Sequence, residues 1–243
     1  MARTVFSITG SDAREFLQGL VTNDVEKAKD GLIYAALLTP QGKYLADFFL
    51  WDRDDDILLD ADADQAPALA QRLTMYRLRS DVAIAETSLS VGRGIGAAPE
   101  GALADPRHPD LGWRHYADDP VNGGVDWDAV RVAHCIPTAG AELIPNETFL
   151  LEAGFERLNG VDFKKGCYVG QEVTARMKHK TELRKGFATV EVDGTAPVGT
   201  EITAGGKTAG TLYTQAQGHG IAYLRFDRAT GEMQAGEATV TRA

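Results

Sequence analysis

Cysteine is scarce in this sequence: Cys135 and Cys167 are the only two among 243 residues. A disulfide-stapled secreted domain carries more, and two thiols cannot supply a four-thiolate cluster from one chain. Long apolar runs are missing too. No stretch approaches the roughly 18 consecutive apolar residues of a membrane span. The opening Met1-Ala2-Arg3-Thr4-Val5 leads into Ser7, Thr9 and Asp12 without the apolar core of a secretory signal. The expected compartment is therefore the cytoplasm, with no membrane partner. Positive charge is short as well, with 25 Lys and Arg against 35 Asp and Glu for a net charge of −10. That balance argues against strong direct binding of nucleic acid, which needs clustered cations. The five histidines (His108, His115, His134, His179 and His219) show no pairing at metal-ligand spacing, so no dedicated metal site is expected. Two familiar patterns also fail. Ala97 stands where a dinucleotide fingerprint starting at Gly92 needs its third glycine, and Ile57 stands where a calcium loop starting at Asp52 needs one.

Apolar segments, by contrast, recur throughout, and 44% of the residues are hydrophobic, enough for a sizeable core. Residues 4–8, 32–38, 44–51, 57–59 and 82–85 read as strands. Residues 11–17, with Ser11 as cap, and 63–75 read as helices. This order predicts an α+β fold with helices on one face of the sheet. Residues 92–124, dense in Gly, Pro and Asp, are too long for an ordinary loop and predict short strands or a flap. A helix is expected over 126–134. From Phe187 onward short strands are punctuated by glycines, the texture of a small antiparallel β-barrel. The expected division is one region over 1–185, with two subdomains meeting near 90–125, and a barrel over 186–243.

One segment concentrates chemistry. Lys164-Lys165-Gly166-Cys167-Tyr168-Val169-Gly170-Gln171-Glu172 packs two ammonium groups, two glycines, a thiol and an amide–carboxylate pair into nine residues. Neighbouring ammonium groups favour a thiolate, and the glycines allow close backbone approach. Cys167 is thus a candidate nucleophile, redox handle or metal ligand, while Cys135, at the end of an apolar helix, is expected to be buried. Between Lys164 and Lys185 seven basic residues face only Glu172 and Glu182, a local excess of five positive charges in an acidic chain. Lys178, Lys180, Arg184 and Lys185 form its densest part, a candidate anion patch.

The run Lys165 to Glu172 resembles the K-G-C-Y-x-G-Q-E signature of the YgfZ family. The segments 8–13, 16–25 and 38–43 are similar to the N-terminal half of that family, and the C-terminal strands are similar only in composition. The family is related to the glycine-cleavage T-protein. The resemblance implies a T-protein-like region with a central cavity for tetrahydrofolate, and a C-terminal barrel. It also implies a role in iron–sulfur cluster assembly or repair with indirect effects on tRNA modification, and partners among the iron–sulfur assembly machinery or its client enzymes. On the family pattern Cys167 is the functional thiol, within a motif made with Lys165, Gly166, Tyr168, Gly170, Gln171 and Glu172. Trp127, Glu147, Asn23 and Arg131 become candidate folate contacts, and the anion patch would favour polyglutamylated forms. Two departures stand out. Ala46 replaces the aspartate that serves the folate nitrogens in the T-protein, so aminomethyl transfer lacks its acid–base group. Ala133 replaces a pterin-binding glutamate. The alternatives are a one-carbon transferase using Asp47, and a non-enzymatic module that grips RNA or an acidic protein.

Overall fold

The computed structural model describes residues 2–179 and 182–242. They form two compact units: one holds 1–125, 145–147 and 155–175, the other 126–144, 148–154 and 176–243. This partition differs from a single division at 185, because segments 126–144 and 148–154 belong with the C-terminal strands. Among the described residues no helix is long and apolar enough to cross a membrane.

The first unit is built on an antiparallel five-stranded sheet. Its strands are β1 (Arg3–Thr9), β2 (Ile33–Leu38), β3 (Tyr44–Asp52), β4 (Ile57–Asp62) and β5 (Ala83–Glu86), in the order β2-β3-β4-β1-β5. Every residue of β2 and β4 is buried, because both faces of the sheet are covered. Phe6, Ile8, Ile33, Ala35, Leu37, Phe48 and Leu50 turn to one face. There they meet α1 (Ala13–Gln18), a 3-10 turn over Val25–Lys29, and α2 (Ala66–Arg77). The stripe Ala66, Leu69 and Leu73 gives α2 its buried side. Ser11, expected to cap α1, instead donates its hydroxyl to Asp81 Oδ2 at 2.9 Å.

The opposite face is charged. Residues 90–117 supply three short strands, β6 (Ser90–Gly94), β7 (Leu103–Ala104) and β8 (Trp113–Ala117), in the order β6-β8-β7. Gly94 has no alternative in this sheet, since a Cβ there would lie 2.3 Å from the Trp113 ring. Asp60 of β4 accepts from Arg3 Nε (2.6 Å), Arg114 Nη1 (2.9 Å) and the Tyr116 hydroxyl (2.9 Å). Asp105 accepts from Arg107 Nε (2.9 Å) and Arg114 Nε (3.1 Å). The Arg107 and Arg114 guanidinium groups lie 4.9 and 3.7 Å from the Phe49 ring centre. Burial alone would raise the Asp105 carboxyl, but Arg107 and Arg114 overcome it and hold the group well below the usual carboxylate range. The small sheet is therefore joined to the large one by paired, desolvated charges as well as by apolar contact.

The second unit opens with α3 (Trp127–Ala133), whose Asp126 cap accepts the Ala129 N–H at 3.1 Å. Its body is a closed antiparallel barrel. The strands are β9 (Lys185–Asp193), β10 (Thr200–Ala204), β11 (Lys207–Ala216), β12 (His219–Arg225), β13 (Glu232–Ala235) and β14 (Ala238–Arg242), in the order β10-β11-β12-β9-β14-β13. Val190, Ile202, Leu212, Leu224, Met233 and Val240 fill it. The helix α4 (Gln171–His179) follows directly on the cysteine motif.

Candidate functional site

Cys167 lies exposed at the tip of a turn whose two ends are pinned to the first unit. On the N-terminal side the Lys165 ammonium donates to three backbone carbonyls, those of Gln18 (2.8 Å), Val21 (2.5 Å) and Asn23 (2.9 Å). The Tyr168 ring lies 5.1 Å from the same nitrogen. Burial pushes the Lys165 amine down to about 8, against the weaker opposing pull of Asp24 and Asp162. On the C-terminal side the Val169 N–H donates to the Gly19 carbonyl at 3.3 Å. Gly170, at φ +83°, lies backbone to backbone against the 39–42 turn, where a Cβ would come within 2.4 Å of the Thr39 oxygen. Gln171 reaches back to accept the Tyr168 N–H at 3.1 Å and starts α4. Gly166 and Glu172 are exposed.

Three stretches that are far apart in sequence, 16–25, 38–43 and 165–172, thus meet at the cysteine motif. The glycine argument made from the sequence holds at Gly170, whereas Gly166 has open space around its Cα. The expectation that both lysines serve the thiol is revised. Lys164 is exposed, but the Lys165 ammonium faces the carbonyls of 18–23.

The residues proposed as folate contacts occupy varied settings. Asn23 is buried and fully engaged: its amide donates to the Tyr34 and Asn159 carbonyls, both at 2.8 Å, and its oxygen accepts the Asp24 N–H. Glu147 is exposed in the first unit, its backbone oxygen accepting from Lys43 Nζ at 2.6 Å. Asp47, one residue past Ala46, is buried and accepts hydroxyls from Tyr34 (3.0 Å) and Tyr44 (2.6 Å), one on each carboxylate oxygen. In the second unit Trp127 is half-buried at the start of α3. Arg131 of the same helix is buried and committed. Its Nη1 donates to Glu142 Oε2 and the Ile136 carbonyl (3.0 Å each), and its Nη2 to Asp128 Oδ1 (2.9 Å) and Thr214 Oγ1 (3.0 Å). Glu142, fully buried, also accepts from Thr138 N and Thr214 Oγ1. The network ties residues 128–142 to β11, and the sequence reading missed it. Its only advance sign was a charged residue, Glu142, amid the small apolar residues 139–144.

Cys135, expected to be buried, is half-buried at φ +49° just past α3, with its N–H on the Val132 carbonyl at 3.2 Å. Of the anion patch, Lys178 is exposed in the last turn of α4, Arg184 is exposed just before β9, and Lys185 opens that strand half-buried. Lys180 lies outside the described residues.

Comparison with known proteins adds a family context. Residues 184–243 match the model of the C-terminal β-barrel domain of CAF17, the part of the chain where the YgfZ resemblance rested on composition alone. The human mitochondrial iron–sulfur cluster assembly factor IBA57 is 31% identical over 95% of this chain and 78% of its own length. Its mouse counterpart is 29% identical with the same coverage. A homologue in the fungus Phaeosphaeria nodorum is 32% identical over 75% of this chain, which spans 52% of it. The fold is that of a crystal structure of the glycine cleavage system aminomethyltransferase T from Bartonella henselae. That chain matches with a TM-score of 0.76 at 13% identity, over 99% of this chain and 83% of its own. The T-protein-like α+β architecture with a C-terminal barrel therefore stands, while membership of the YgfZ family in particular gives way to the family of these relatives. The expected compartment is corrected as well. The relatives are named as mitochondrial, which points to the mitochondrion rather than the cytoplasm. A low cysteine count does not distinguish those two compartments.

Proposed function

This chain belongs to the IBA57 family of iron–sulfur cluster assembly factors, and from that membership we propose that it assists the assembly of iron–sulfur clusters through the thiol of Cys167. The observation that carries the reading is the exposed Cys167 on a turn pinned at both ends. A cluster is held by about four thiolates, so a lone exposed cysteine acts on iron or cluster that another protein also holds. Its thiolate supplies one ligand and the partner supplies the others. The partners are the assembly machinery or its client enzymes, and any effect on tRNA modification follows from the supply of clusters to a modifying enzyme. In cells lacking their own factor of this family, expression of the chain is expected to restore iron–sulfur enzyme activity. Unchanged activity at normal protein levels would sink the proposal.

Reduced folate is the small molecule proposed for this fold. Asn23 and Arg131 have their donors engaged, and Ala46 and Ala133 offer no carboxylate, which leaves, unit by unit, the Glu147 carboxylate as a candidate contact in the first and the Trp127 indole in the second. A bound folate would contribute its own one-carbon chemistry; an indole suits stacking on its rings, and a carboxylate such as Glu147 accepts N–H groups. So thin a donor set implies weak affinity, micromolar at best, with polyglutamate tails favoured by Lys178, Arg184 and Lys185. Ligand at 100 times its dissociation constant stabilises a protein by about 2.7 kcal/mol, so millimolar tetrahydrofolate is expected to raise the melting temperature. No shift at that concentration would remove folate from the proposal.

A further inference from the structure

The motif around Cys167 holds a cation in an unusual way. An ammonium has three N–H donors, and in Lys165 all three end on main-chain carbonyls of one short segment, those of Gln18, Val21 and Asn23 at 2.5–2.9 Å. Carbonyl dipoles alone form the cup, with the Tyr168 ring against it. Asp24 and Asp162 act on the ammonium only through space, and Asp162 is itself bonded to Lys27 Nζ at 2.6 Å. Burying a cation against dipoles is costly, and an apolar side chain of similar length would fill the space at lower cost. The arrangement is thus better suited to fixing geometry than to adding stability.

The geometry it fixes is that of the thiol. Lys165 anchors the turn on one side of Cys167, and the Val169 N–H on the Gly19 carbonyl anchors the other. Only residues 166–168 span the two anchors. A Cβ at Gly166 would meet no atom within 4 Å, so the turn is open on that side, where Lys165 is its anchor; on the other side the Tyr168 N–H is also held, on Gln171 Oε1. Both anchors fall on the same stretch, 18–23, which Asn23 locks in turn onto the Tyr34 and Asn159 carbonyls.

We propose that Lys165 is the positioning residue of Cys167, its ammonium acting as a tethered cation in a three-carbonyl cup formed by residues 18–23. The consequence for cluster assembly rests on the reading of Cys167 as the working thiol; the cup and its occupant do not. Lysine is required because its compact ammonium directs three donors into a small concave site. The planar fork of arginine cannot converge on three carbonyls in that way.

The test uses the whole protein and three variants, Lys165→Ala, Lys165→Arg and Cys167→Ala, with amide hydrogen exchange followed at Val169 and over 20–23. Lys165→Ala is expected to speed exchange in these segments by roughly tenfold while the barrel amides keep their rates, and Lys165→Arg is expected to behave likewise. Ammonium chloride is expected to slow exchange again in Lys165→Ala by refilling the cup, whereas tetramethylammonium chloride, which has no N–H to donate, is expected to leave it fast at equal ionic strength. Unchanged Val169 exchange in Lys165→Ala, wild-type exchange in Lys165→Arg, or equal action of the two salts would each overturn the proposal. Should Lys165→Ala fail to fold, Lys165→Met retains the packing of the stem and takes its place. In cells, Lys165→Ala is expected to lose restoration of iron–sulfur enzyme activity as fully as Cys167→Ala. If Cys167→Ala itself restores activity while the exchange results hold, the thiol reading falls and the positioning role stands.

Discussion

Cys167→Ala is expected to abolish the restoration of iron–sulfur enzyme activity in cells lacking their own factor, with the melting temperature unchanged, while Cys135→Ala restores it fully. The two thiols differ in setting. Cys167 is exposed at the tip of its turn, whereas Cys135 is half-buried at the end of α3 with a backbone conformation set by helix termination. Removing an exposed Sγ forfeits little packing, so the fold is expected to tolerate the change. The same contrast predicts that iodoacetamide labels Cys167 faster than Cys135 at neutral pH, read by mass mapping. Full restoration by Cys167→Ala would reduce the cysteine to a filler and leave Lys165, Gly170 and Gln171 to carry the meaning of the motif.

The second large effect concerns stability. Arg131→Ala leaves the fully buried Glu142 carboxylate without its cation and removes the side-chain donor to the Ile136 carbonyl and to Thr214 Oγ1, which keeps its bond to Glu142. Breaking a buried ion pair from one side costs about 3–5 kcal/mol, enough to lower the melting temperature of the unit on the order of 10 °C. Tetrahydrofolate affinity, measured where the variant is still folded, is expected to stay within about twofold of the parent, since the guanidinium donors already end on protein atoms. A variant with unchanged melting temperature and lost folate binding would return Arg131 to the ligand.

Much of the architecture was legible because its signals are local. The apolar runs 32–38 and 44–51 became β2 and β3, and the glycine-punctuated tail became the barrel strands. The short strand β13 (Glu232–Ala235) was missed because its alternating burial falls on a charged and small-residue sequence with no β-branched signal. The local structure was legible at Gly170, where a positive φ is written in residue type. It was illegible at Lys165, Asn23 and Arg131. A lysine bonded to carbonyls, an asparagine joining a strand to a distant turn and an arginine facing a buried glutamate 11 residues on look, in sequence, like any solvent- or ligand-facing group. Likewise, nothing in the Gly- and Asp-rich stretch announced that Asp105 and Arg107 would lie buried beside Arg114.

The closure of the barrel bears on how assembly partners can grip this protein. Pairing of Ile202 with Ala235 and of Thr203 with Gln234 joins β10 to β13, so each barrel strand has a neighbour on both sides. A visiting peptide cannot extend such a sheet by adding a strand to it, because no edge offers unpaired N–H and C=O groups. Recognition of the second unit must therefore read loops and side chains. In the first unit, β2 ends its sheet under partial cover from Val21, which bridges to Leu37, and from the Thr22 N–H on the Ala36 carbonyl. The other terminal strand, β5, is four residues long. Edge-to-edge self-association thus finds little purchase on the barrel or on the five-stranded sheet.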